Sequence, residues 1–196
     1  DGAIESGDPG AGERSLAQKV VEVHGSLAVT GALSADRIRA RRSDIHVCAA
    51  RAYRTIDTSI TADTPRLITF NAVEYDTGGF WSSTTNPSRL TVPTGLAGWY
   101  VMTAAVRFGD VLGGAAWHQI RPEKNSAGTP TSANVIMSQL IADVVAQVSD
   151  LHLTSYPIYL IAGDHVELVV NANHNDTATA TTNTKLPTLA LWRLGA

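Results

Sequence analysis

From residue 46 onward, short runs of apolar residues alternate with polar ones. Glycine, proline, asparagine, aspartate and threonine break the runs apart. Runs at 47–53, 67–75, 90–92, 99–108, 115–121, 135–144, 150–161, 165–171 and 188–194 are enriched in β-branched and aromatic residues, and they predict strands. Residues 135–144 (Val-Ile-Met-Ser-Gln-Leu-Ile-Ala-Asp-Val) also fit an amphipathic helix, so both readings stand for that stretch. The Thr-rich 177–185 stretch reads as a surface loop or hairpin end. Many short strands with frequent turns predict an all-β sandwich or jelly roll.

Two of the runs also predict what surrounds them. In 99–108, Tyr100, Met102, Ala104, Val106 and Phe108 share one face, which alternation assigns to the core. The opposite face carries Trp99, Val101, Thr103, Ala105 and Arg107 and is only weakly polar. In 165–171, Val166, Leu168 and Val170 face one way while Val169 faces the other. A strand that is apolar on both faces is covered on both faces. The expected second cover is another subunit, with Trp99, Val101, Ala105 and Val169 as contacts in a homo-oligomer.

The first 45 residues follow a different pattern. Residues 1–12 hold four glycines, one proline and three acids, and predict a flexible arm or one ordered by a partner. Leu16, Val20 and Val23 fit either a short coiled-coil seam or a simple strand. Leu27, Val29, Leu33 and Ile38 are too few to close a core alone, and predict a shaft of three chains wound together. The division expected is 1–45 for arm and shaft and 46–196 for a head.

Composition narrows the function. The chain has 196 residues, of which 44% are hydrophobic and only 17% charged, with a net charge of -3. About 25% charged is usual, so part of the surface is expected to meet a partner. The net charge offers no bulk attraction to nucleic acid. Arg37, Arg39, Arg41 and Arg42 form one basic cluster, without interleaved aromatics for base stacking, and read as a solvated shaft face or as ion pairs with neighbouring chains. The single cysteine, Cys48, rules out an intrachain disulfide framework and reads as a buried thiol. No run reaches the roughly 20 apolar residues of a membrane-spanning helix, and the acidic N-terminus does not read as a signal peptide.

Chemistry is sparse. The six histidines show no zinc-motif spacing, and no nucleophile elbow, phosphate-binding loop or dinucleotide fingerprint occurs. The expectation is a non-enzyme with no catalytic residues, no cofactor and no metal. His174, in the polar run 171–176, reads as part of a solvated turn, although that run's oxygens are of a kind that ligates calcium. Phe80, Trp81, Trp117 and His118 follow glycine pairs and are the candidates for contact with a ligand or partner.

Particular motifs resemble known proteins. Leu27-Ala-Val-Thr-Gly31 is similar to shaft segments that precede the heads of bacteriophage fibre proteins. The head resembles the complement globular-head and tumour-necrosis-factor superfamily, in the version found in phage structural proteins. The resemblance runs over 47–195. It is carried by Phe70, Tyr75 and Asp76; Gly78, Gly79 and Trp81; Ser88-Arg-Leu-Thr-Val-Pro93; Gly98 and Tyr100; Ala162, Gly163, Asp164, Val166, Glu167 and Leu168; and the closing run 189–195. One departure is Ser126, where the family pattern has glycine after asparagine. The resemblance implies a homotrimeric jelly-roll head on the surface of a phage virion, joined to other virion proteins through the N-terminal arm. The expected role is a fibre or capsid-decoration head. The alternative is a receptor-binding module that recognises host-surface glycan through loop aromatics.

Overall fold

The computed structural model describes residues 48–109, 116–126, 128–130, 132–143 and 149–195. The chain divides into two units, Asp1–Arg42 and Ser43–Ala196, and the described residues belong to the second. The expected arm and shaft, including Leu27, Val29, Leu33, Ile38 and the arginine cluster, lie outside the described residues.

Thirteen strands form among the described residues: β1 (Ala49–Tyr53), β2 (Thr58–Ile60), β3 (Arg66–Leu67), β4 (Ala72–Asp76), β5 (Arg89–Thr91), β6 (Gly98–Phe108), β7 (Ala116–Lys124), β8 (Gln139–Asp143), β9 (Ser149–Thr154), β10 (Ile158–Leu160), β11 (His165–Ala172), β12 (Asp176–Thr179) and β13 (Thr188–Gly195). They build two antiparallel sheets. The eight-stranded sheet runs β2-β12-β6-β13-β1-β4, with β9 and β10 also paired to β6. The five-stranded sheet runs β3-β11-β7-β8, with β5 also paired to β11. The expected all-β jelly roll is what forms.

Alternation explains the core. Tyr100, Met102, Ala104, Val106 and Phe108 of β6 are all buried, as are Leu189 and Leu191 of β13 and Ala50 and Ala52 of β1. Across the gap they meet Val166, Leu168 and Val170 of β11, Ile120 of β7 and Leu90 of β5. Two inner faces that interdigitate in this way leave one face of each sheet free for other work.

Four boundaries differ from the sequence reading. The run 67–75 is two strands, because 68–71 crosses from the five-stranded to the eight-stranded sheet. The crossing backbone is held by hydrogen bonds from Ile68 N to Leu168 O (2.9 Å), Phe70 N to Pro87 O (3.1 Å) and Asn71 N to Tyr53 O (3.2 Å). The run 150–161 breaks at 155–157, where Pro157 cannot donate a ladder hydrogen bond; the Ser155 hydroxyl instead accepts from Met102 N at 3.0 Å. The Thr-rich stretch is not wholly a loop, since β12 inserts Ala178 into the core between β2 and β6. Of the two readings of 135–144, the strand holds for 139–143, preceded by an isolated bridge between Val135 and Glu123.

Candidate functional site

Two surfaces are built with evident care, and a buried polar cluster supports one of them. The first begins at Asp76, the last residue of β4. Its Oδ1 accepts the backbone N–H groups of Gly78 (3.2 Å), Gly79 (2.8 Å) and Phe80 (3.0 Å), and its Oδ2 accepts that of Trp81 (2.9 Å). One carboxylate thus folds the whole Gly78–Trp81 turn. Gly79, at φ 78°, meets the positive φ that the turn requires. The turn drives Phe80 into the core, edge-on to Tyr100 at 6.0 Å. It leaves Trp81 half-buried, with its indole N–H donating to Pro87 O at 3.1 Å.

Beside this turn lies a groove of about 350 Å³, lined by Trp81, Ser82, Thr85, Asn86, Arg89, Thr91 and His165 with Gly79, Phe80 and Gly163. Two of its lining residues, Arg89 and His165, approach Glu167, which is fully buried on the outer side of β11. Glu167 accepts hydrogen bonds from Ser88 Oγ (2.6 Å), Ser126 Oγ and Gly128 N (3.3 Å), and pairs with Arg89 at 3.4 Å. Burial works to raise its pKa. The Ser126 and Ser88 hydrogen bonds, the Arg89 charge and the Gly128 N–H overcome that and hold it below the ordinary glutamate value.

Directly across the ladder stands Glu123, also fully buried and bonded to Arg121 Nε at 2.9 Å. Two opposed carboxylates would repel, and here each has its own arginine. His165 closes the cluster. Burial, then the Arg89 charge, hold it below the ordinary imidazole value against the pull of Glu167. Its Nε2 is buried without a hydrogen-bond partner, 3.8 Å from Glu167 Oε2.

The second surface is the outward face of the eight-stranded sheet. Strand registry lines up Ala49, Trp192 and Val101 in one row, Tyr75, Arg51, Ala190, Thr103 and Thr154 in the next, and Tyr53, Thr188, Ala105 and His152 in a third. Small residues occupy the middle, and the face is dished, with a hollow of about 350 Å³. Its arginines are already neutralised within the chain: Arg51 bonds Glu74 at 2.7 Å, and Arg107 makes a two-pronged pair with Asp150 at 2.7 and 2.6 Å. At one end of the sheet, Trp99 and Tyr159 stack edge-to-face at 5.5 Å, and each is about half exposed.

The candidate residues therefore separate. Trp81 lines the groove, and Trp99, Val101 and Ala105 share the outward face of the large sheet. Phe80 is 2% exposed and His118 0%, so neither has surface to offer a ligand. His118 instead stacks on Phe108 at 4.3 Å. Trp117 is half-buried, away from the groove residues, and its backbone N–H is held by Asn173 Oδ1 at 2.8 Å. Val169 faces outward as expected, yet it is 0% exposed within a single chain, so a neighbour is not its cover. Sequence reasoning missed Arg89 and His165 in the groove and Tyr159 beside Trp99. Ser88, Arg89 and Glu167 were visible as motif residues, but only folding shows that they meet. The departure at Ser126 is also explained, since its hydroxyl supplies a donor to Glu167.

No protein-family model matches the chain, and no curated protein matches it. Solved structures do. Eiger, a tumour necrosis factor from S. frugiperda, superposes with a TM-score of 0.51 at 12% identity, over 76% of this chain and 93% of that one. Murine APRIL superposes with a TM-score of 0.52 at 12% identity, over 74% of this chain and 98% of that one. The fold is a TNF-like jelly roll. At this identity the likeness carries the architecture, and the motif resemblance now has a physical reading: Asp76 folds a turn, Tyr100 fills the core, and Ser88, Arg89 and Glu167 form a buried cluster under the groove.

Proposed function

We propose that the chain is a non-enzymatic structural head that acts as a homotrimer on the surface of a bacteriophage particle, with residues 1–45 as the attachment arm and shaft and 46–196 as the head. The outward face of the eight-stranded sheet carries this reading. It is small-residued at its centre, its arginines are internally paired, and an exposed Trp99–Tyr159 pair lies at one end. A face of this kind loses little polar solvation when a copy of the same chain covers it. The virion setting rests on the motif resemblance to phage heads and on the short shaft motif.

Substituting Thr103→Arg, in the middle of the second row, is the test of the interface. It places an unpaired charge on the face while leaving the core side of β6 untouched. The variant is expected to remain folded and to sediment as a monomer; an unchanged assembly would refute this face as the interface. Locating the protein in an electron-microscopy map of the particle tests the virion setting.

The groove favours a second reading, recognition of host-surface glycan. An indole wall with asparagine, threonine and arginine offers both the apolar and the polar contacts that a sugar takes. Thr85→Trp would fill the groove without disturbing Trp81 or Glu167. Loss of adsorption to host cells supports glycan recognition, and normal adsorption refutes it.

A further inference from the structure

We propose that His118, His174 and Asp176 form a binding site for a divalent transition-metal ion of the zinc class. His118 is far in sequence from the His174–Asp176 pair, and the three come from different elements of the fold. His118 lies on β7 of the five-stranded sheet. His174 is in the turn after β11, and Asp176 opens β12 of the eight-stranded sheet. Their ligand atoms all lie within 4.8 Å of one another. His118 Nε2 is 2.6 Å from Asp176 Oδ2, and His174 Nε2 is 3.6 Å from the same oxygen. Bonds of 2.0–2.2 Å to a tetrahedral ion imply ligand atoms roughly 3.4 Å apart. The trio therefore needs adjustments of about an ångström to close on an ion.

The surroundings prepare two of the ligands, His174 and Asp176. Asn173 Oδ1 already accepts the backbone N–H of Trp117 at 2.8 Å, and His174 Nδ1 lies 3.1 Å from the same oxygen. An amide oxygen only accepts, so Nδ1 carries a proton, and Nε2 is the nitrogen whose lone pair the ring can offer to an ion. That Nε2 is buried and has no hydrogen-bond partner. A buried nitrogen lone pair left open beside a carboxylate is the arrangement a metal satisfies, and the hydrogen bond on the far ring nitrogen is the usual support for a ligating histidine. Asp176 is anchored in turn, with Oδ1 accepting its neighbour Thr177 N at 2.6 Å, which leaves Oδ2 facing both imidazoles.

The rings of His118 and His174 meet edge-to-face at 5.0 Å, and Phe108 walls the site on its inner side. The His118 and Asp176 side chains are 0% and 4% exposed, whereas His174 is 24% exposed and gives the path of entry. An entering ion takes the place of the hydrogen between His118 Nε2 and Asp176 Oδ2, so ligation displaces that proton. Two imidazoles favour zinc-like ions over calcium or magnesium, which take oxygen ligands. The bound ion would clamp one sheet to the other at this end of the sandwich, so its effect is read as stability.

The experiment uses the full 196-residue chain without an affinity tag, stripped with a chelator and titrated with zinc, cobalt(II) or calcium. One zinc per chain by elemental analysis, a saturable rise in thermal midpoint with zinc but not calcium, and visible cobalt bands are the expected results. His174→Ala, at a partly exposed turn position, should keep its metal-free midpoint and lose the zinc response. Asn173→Ala should weaken zinc about tenfold or more through the orienting bond. No bound zinc in the wild-type chain, a His174→Ala variant that binds as well as wild type, or an equal response to calcium would each overturn the site.

Discussion

Replacing Glu167 with glutamine is the sharpest perturbation of the groove's foundation. The glutamine is nearly isosteric, so packing on β11 is kept while the charge is lost. Ser88 Oγ still finds an oxygen at its 2.6 Å position. The Ser126 hydroxyl and the Gly128 N–H, which both point at Oε2, now meet an amide NH₂; the hydroxyl can turn to accept from it, but the Gly128 N–H donor faces a donor. Arg89, mostly buried, loses its countercharge. Each hydrogen bond to a charged group is worth about 1.5–3 kcal/mol, and breaking a buried pair by removing one partner costs about 3–5 kcal/mol. Overlap between these contributions leaves an expected loss of about 3–4 kcal/mol.

For a domain of this length that corresponds to a fall in thermal midpoint of about 6–16 °C. Circular dichroism melts with urea titrations measure it. The pH dependence sharpens the test. Glu167 titrates below its ordinary value of 4.5. Its contribution is therefore complete above pH 4.5 and is lost as pH falls through the lower folded value. The gap between wild type and Glu167→Gln should be full at neutral pH and narrow in acid. A loss below about 1 kcal/mol, the scale of one ordinary hydrogen bond, or a gap that does not narrow in acid, would refute the claim that this carboxylate organises the cluster.

Other consequences are open to direct measurement. Asp76→Asn should cost about 2 kcal/mol, because four backbone N–H groups lose a charged acceptor; hydrogen exchange should show the amides of Gly79, Phe80 and Trp81 losing protection while those of β6 keep theirs. His165 titrates below the ordinary 6.5, so the unfolded chain binds its proton first and the domain should lose stability as pH falls from 6.5 toward the folded value. His165→Asn should flatten that slope in urea titrations below pH 6.5; an unchanged slope would assign it to other groups.

Much of the fold was legible because burial on one face leaves a period of two. The eleven residues of β6 show this best, since every inward position from Tyr100 to Phe108 was readable in advance. What failed was short or crossed between sheets. β2 has three residues, too few to display alternation. Residues 68–71 keep an apolar pattern while passing between sheets, so they read as one continuous strand. Val169 shows a different limit. Sequence reveals that a side chain is covered, but not whether the cover comes from the same chain or another.

The groove was half legible. Gly78, Gly79 and Trp81 announced a turn with an aromatic, whereas Arg89 and His165 arrive there through strand pairing of β5 with β11. His118, His174 and Asp176 were hidden for the same reason, with the two histidines 56 positions apart. Only the His-x-Asp spacing at 174–176 was a local sign.

The central claim is that this TNF-like head assembles as three copies through the outward face of its eight-stranded sheet. Light scattering coupled to gel filtration of the full chain tests it most directly. The account predicts a particle of about 62 kDa, three times the 20.7 kDa chain, that persists on dilution. A mass of 20.7 kDa would contradict it.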